Sequence, residues 1–113
     1  MLNLLALRYD FNRFNFFMID ENFLETIFQS IMEIESADVV DAFNKAENKK
    51  DFPLMGTGSI LDSMDLVSLV VTLEGKAKQI NPSSFLISDS AMSSTISPFR
   101  SPRSILNFLM DQN

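Results

Sequence analysis

The residues that could do chemistry are few and lie close together. From Gly58 to Val67 the chain reads Gly-Ser-Ile-Leu-Asp-Ser-Met-Asp-Leu-Val, a loop running into an amphipathic segment. Asp62 is a good helix N-cap residue, and Asp65, three positions on, stands where a capping box places its second member. Ser63 then falls in the first helical turn with its hydroxyl towards solvent. Free backbone N–H groups and the positive end of the helix dipole make that position hospitable to an anion, so a phosphate ester on Ser63 would be tolerated despite Asp62 and Asp65. The chain contains no His and no Cys. Triads, imidazole shuttles, thiol nucleophiles, disulfides and zinc–thiolate sites are therefore excluded, and no base is at hand to activate Ser63. Ser63 can receive chemistry done by another enzyme but cannot perform it, and no catalytic residue is assigned. A carboxylate-dependent hydrolase would need two facing acids in a cleft, and Asp62 and Asp65 at a helix start are poor candidates. Taken alone, Asp62-Ser63-Met64 reads simply as a cap.

The elements that must position this hydroxyl can be read from the apolar pattern. Residues 63–79 predict the main helix, with Leu66, Leu69, Val70, Leu73 and Ala77 facing inward and Asn81-Pro82 ending it. Gly75 inside this helix costs about 1 kcal/mol relative to Ala, which predicts fraying or an early end there. Met64, Val67 and Val71 form a neighbouring stripe; Val67 fits an exposed docking surface or the core equally well. Upstream, Asp20 or Asn22 caps a helix in which Phe23, Ile27, Ile31 and Ile34 recur at helical spacing, with Leu24, Phe28 and Met32 alongside. Ser36 or Asp38 can begin a second set of turns carrying Val39, Val40 and Phe43; continuity through Ser36 is left open by the sequence. Lys49 and Lys50 suit a helix C-terminus.

Residues 51–62, with one Pro and two Gly, read as a loop, and its Phe52, Leu54, Met55, Ile60 and Leu61 predict that it lies pressed on the core. Residues 83–97 are Ser-rich, anchored by Phe85, Leu86, Ile87, Met92 and Ile96, with one short helical piece expected near 89–94. Ser101 caps a last helix led by Pro102, whose apolar side is Ile105, Leu106, Phe108, Leu109 and Met110. Residues 1–19 are apolar but interrupted by Arg8, Asp10 and Arg13, too short and charged for a membrane span and unlike a secretory signal. They are expected to be an N-terminal extension, residues 1–17 of it read as an upstream addition from a misplaced start codon, and residues 20–113 are expected to be the domain. The expected fold is all-α, a small irregular four-helix bundle with a long apolar loop between its first and second helices.

Charge narrows the partners. The 113 residues carry 9 Lys and Arg against 15 Asp and Glu, a net charge of −6 with a pI near 4.4. Such a surplus repels phosphate backbones and anionic lipid, so neither nucleic acid nor membrane is an expected partner, and a basic protein surface is. The acid is concentrated between residues 20 and 65, on the first helix and on the approach to the second.

The stretch Ile60-Leu61-Asp62-Ser63-Met64 resembles the modification site of the acyl carrier and peptidyl carrier protein family, whose hallmark is Asp-Ser-Leu or Asp-Ser-Met opening the second helix. The wording is especially similar to stand-alone D-alanyl carrier proteins. The likeness extends over roughly residues 20–112: an amphipathic helix, a long apolar loop, the Ser-led helix ending in Leu73-Glu74, a short third helix, and a last helix introduced by Ser101-Pro102-Arg103-Ser104-Ile105. It implies a monomeric, cytoplasmic, non-enzymatic carrier. Ser63 would hold 4′-phosphopantetheine through a phosphodiester, installed from coenzyme A by a phosphopantetheinyl transferase. The arm's thiol would carry acyl or aminoacyl groups as thioesters between a loading ligase and a downstream acyltransferase or synthase of a fatty acid, polyketide, nonribosomal peptide or aminoacyl-transfer pathway. A short acyl chain would slip between helices near Leu66, Leu69, Val70 and Ile105. Met64, Val67 and Val71 would dock on partners, and Asp62, Asp65 and Glu74 match acidic positions used to meet basic patches. Ser68 and Gly75 replace acids common in fatty-acid carriers, Ile60 replaces a usual Gly, and Lys76 and Lys78 make the helix end basic; these departures favour a specialised carrier. The alternative is an acidic helical interaction module with the carrier fold and no arm.

Overall fold

A computed structural model describes residues 18–86 and 97–113. Its α-helices are α1 (Phe23–Met32), α2 (Ala37–Lys45), α3 (Ser63–Ile80) and α4 (Pro102–Met110), with single 3-10 turns at Lys49–Asp51 and Pro98–Arg100. No strand occurs among the described residues, so the all-helical expectation holds. The origin of the four helices differs from the expectation, however. The first predicted helix is two, and the short piece expected near 89–94 lies outside the described residues.

The break between α1 and α2 has a local cause. Ser36 adopts an extended conformation (φ −144°, ψ 109°), and its side chain accepts from the Val39 N–H, making it the N-cap of α2. A serine hydroxyl that satisfies an orphan N–H stabilises a new helix start more than it favours a helix interior. Ile34 stays buried in the connection. At the start of α1 it is Asp20 that caps the turn, accepting from Asn22 N–H at 2.9 Å, while the Asn22 side chain makes no capping bond. Lys49 closes α2 as expected of a cation near a helix C-terminus: its Nζ donates to the Asn44 and Ala46 carbonyls at 3.2 and 3.0 Å.

One core runs through all these elements. Ile27, Ile31, Val39, Leu54, Leu73, Ala77, Leu86, Ile105 and Leu109 are completely buried, and α1 packs against α2, α3 and α4 together. Phe43 is the aromatic hub, 5.5 Å from Phe28 and 5.2 Å edge-on from Phe52. Ile19, the last residue of the expected extension, already packs in this core. Ile19 is only 1% exposed, and Asn113 brackets its backbone, accepting from the Ile19 N–H at 2.9 Å and donating to its carbonyl at 2.7 Å. Residues 1–17 of the expected extension lie outside the described residues.

The 51–62 loop is pinned at its near end. Phe52 and Leu54 are buried, and Leu54 N–H donates to the Arg100 carbonyl at 2.9 Å. Met55 and Ile60 were expected on the core but are exposed. The chain turns away between them through Gly56 (φ +79°) and Gly58 (φ +88°), left-handed conformations that favour glycine. Half-buried Leu61 returns the loop to the core just before α3 begins.

Candidate modification site at the start of the third helix

The capping box expected from Asp62 and Asp65 is present in both directions. Asp65 N–H donates to Asp62 Oδ1 at 2.7 Å, and Asp62 N–H donates to Asp65 Oδ2 at 3.3 Å. Both carboxylates are thereby held against the backbone on the rim of the helix. Ser63 is the first residue of α3 and is exposed, and its Oγ makes no hydrogen bond with any described residue. The N–H groups of Ser63 and Met64 are likewise without acceptors among the described residues, as the first turn of a helix leaves them. Hydroxyl and free donors therefore lie together at an open helix mouth. The chemistry available there is that of an acceptor: a lone hydroxyl with space around it and backbone donors that suit a negatively charged substituent.

Beside the hydroxyl runs an uncovered apolar stripe. Met64 is 77% exposed, and Val67 and Val71 are each 53% exposed. The choice left open for Val67 is resolved in favour of the surface. Ile60, 50% exposed immediately before the helix, is a further apolar residue at this end that the sequence reading assigned to the core. Its position in an apolar loop gave no hint of exposure, because the turn at Gly56 and Gly58 decides which way the side chain faces. On the opposite side of α3, Leu69, Val70, Leu73 and Ala77 are buried as expected, with Leu66 partly so. Leu69 and Ile105 are packed within the continuous core, so a chain entering between them would have to part the helices.

Glu74 is placed differently from Asp62 and Asp65. Its side chain is largely covered, its Oε2 accepts from Leu86 N–H at 2.8 Å, and its Oε1 pairs with Lys78 at 3.5 Å. It ties α3 to the following segment, where an outward acid was expected. The basic character expected at the end of α3 is also reduced. Lys76 donates to Ser30 Oγ at 2.9 Å and pairs with Glu33 at 3.3 Å, while Lys78 pairs with Glu74. The helix passes through Gly75 without interruption and ends at Ile80, capped by Asn81. Burial of Leu73 and Ala77 on either side outweighs a glycine cost of about 1 kcal/mol.

Searches of protein-family models, curated proteins and solved structures found no match to this chain. Among the described residues no helix is long and apolar enough to cross a membrane.

Proposed function

We propose that this protein is a free-standing carrier of the acyl carrier type, modified at Ser63 and shuttling thioester-bound acyl or aminoacyl groups between enzymes. The observation that carries this reading is the unbonded Ser63 hydroxyl at the exposed first residue of α3, with both neighbouring aspartates engaged in capping. The order of elements supports the same fold type: helical N-terminal half, long loop pinned to the core, Ser-led helix, final Ser-Pro-capped helix. The local residues fit a phosphopantetheine arm, since Ser63 offers the attachment oxygen and the Ser63 and Met64 N–H groups face a phosphate there without displacing any bond. Ser63 would hold the arm through a phosphodiester: its Oγ–P bond would form as the pyrophosphate P–O bond of coenzyme A breaks, 3′,5′-ADP would leave with the bridging oxygen, and the hydroxyl proton would pass to the transferase or to solvent. When bound, the arm supplies the thiol that a chain without cysteine lacks.

The protein's own part is presentation. The capping box fixes the first turn, so the arm leaves from a rigid point. Met64, Val67 and Val71 offer a desolvatable apolar shoulder, and Asp62 and Asp65 add charge that steers basic partner surfaces. A transferase, a loading ligase and a downstream acyltransferase or synthase are the partners this role requires.

Co-expression with a broad-specificity phosphopantetheinyl transferase is expected to add one phosphopantetheine to the wild-type chain, read by intact mass, and none to Ser63→Ala. An unmodified wild type, or an adduct persisting in the variant, overturns the proposal. The exposed stripe would also serve an arm-less interaction module. Partner binding by unmodified protein that is indifferent to Ser63→Ala would favour that second reading.

A further inference from the structure

An open pocket of about 750 Å³ lies between the 51–62 loop, the Pro98–Arg100 turn and the first half of α4. Its charges are unevenly used. Arg103 is committed to Asp51, with Nε to Oδ1 at 2.8 Å and Nη2 to Oδ2 at 3.1 Å. Arg100 also lines the cavity and has no acidic partner among the described residues. Among the described lining residues, two arginines against one aspartate leave a single positive charge, in a chain whose net charge is −6. Thr57 adds a hydroxyl, and Pro53 and Met55 add apolar wall.

An arginine fork without a partner recognises a planar carboxylate through two parallel hydrogen bonds. The Asp51 carboxylate in the same lining disfavours a doubly charged phosphate, and the apolar wall suits a short hydrocarbon spacer. The molecule's overall negative charge is screened beyond about 10 Å in ordinary salt, so the local cation decides. We propose that this cavity binds the carboxylate of a small, short-chain acid, with Arg100 supplying the guanidinium. The site is independent of the carrier reading, although the acid could be either a free molecule or the far end of a cargo held on Ser63. Thr57 is only six residues from Ser63, a contour of at most about 22 Å.

The test is a titration of the full-length, unmodified chain by NMR, following the Arg100 side-chain Nε–H and the Met55 and Thr57 backbone amides. Succinate is expected to give saturable shifts and its uncharged analogue succinamide none. Arg100→Gln should weaken succinate binding about ten- to hundredfold, the usual loss for a charge-assisted hydrogen bond, and Arg100→Lys should fall between. Both variants should fold, because it is the Arg100 carbonyl, not its side chain, that holds Leu54. Equal responses to succinate and succinamide, or an Arg100→Gln variant that titrates like wild type, overturn the proposal. A succinyl thioester on the Ser63 arm perturbing these resonances where a butyryl thioester does not would assign the carboxylate to cargo. A response to free succinate alone would assign it to a free ligand. Failure of Ser63 to accept the arm leaves the titration untouched.

Discussion

Asp51 and Arg103 stand 52 positions apart and meet through two hydrogen bonds on the surface. The hydrogen bond from Arg103, helped by Asn48 and by the positive charges of Arg103 and Lys50, holds the Asp51 carboxyl below the usual carboxylate range against the opposing effect of desolvation. A carboxylate depressed on folding contributes stability that is complete above its unfolded pKa, about 4, and is lost as pH falls through the lower folded value. Asp51→Asn is therefore expected to melt slightly below wild type at neutral pH, with the difference shrinking as the pH is taken below about 4. Thermal melts across that range check it; a gap that widens towards acid would contradict the sign. Both side chains are about half exposed, so solvent screening keeps the effect small. Ser63 presents the opposite case, an exposed hydroxyl with no hydrogen bond to any described residue to lose. Its substitution should affect modification and leave stability alone.

At the scale of elements, α3 shows tertiary packing overriding a local weakness. It runs 18 residues, through Gly75, because Leu69, Leu73 and Ala77 are buried along its inner face and Lys76 reaches across to Ser30 and Glu33. A Cβ built at Gly75 would meet nothing within 4 Å, and the backbone there is not left-handed. Gly75→Ala is thus expected to stabilise the protein by about 0.5–1 kcal/mol, measured as a raised urea midpoint. A destabilised variant would mean that the glycine serves a close approach absent from this structure. The α1–α2 break is the converse, a local signal that prevails. Ser36 caps α2 while Ile34 and Val39 keep the apolar surface buried on either side of the corner.

Across the whole molecule, the two ends of the described domain are joined by one side chain. Asn113 donates to and accepts from the backbone of Ile19, 94 positions away, and Gln112 does the same for Phe85 at 2.9 and 2.7 Å. Residues after α4 therefore close the bundle at that end. With net hydrogen-bond contributions of about 0.5–1.5 kcal/mol each, Asn113→Ala is expected to cost about 1–3 kcal/mol. Denaturant unfolding should show a lower midpoint with an unchanged slope, since the surface exposed on unfolding is the same. An unaltered midpoint would show that Ile19 is held by burial alone.

The period of the apolar residues determined where helices form and which faces of α3 and α4 are buried. Asp62, Asp65, Ser101 and Pro102 determined where those two helices start, because caps and first-turn residues act within one turn of chain. The identity of Ser63 as an outward hydroxyl belongs to that same local class of information. The tertiary structure alone decided what depends on distant partners. It turned Ile60 and Met55 out of the core through two left-handed glycines, bound Glu74 to the Leu86 backbone, paired Lys76 with Ser30 and Glu33, and drew Ile19 into the domain through Asn113. It also set Arg100 and Arg103 around a pocket with the loop, more than forty residues from Gly56, which helps to line it. Hydrogen bonds and burial between such remote positions leave no periodic trace in the chain, which is why they become visible only when the helices are packed.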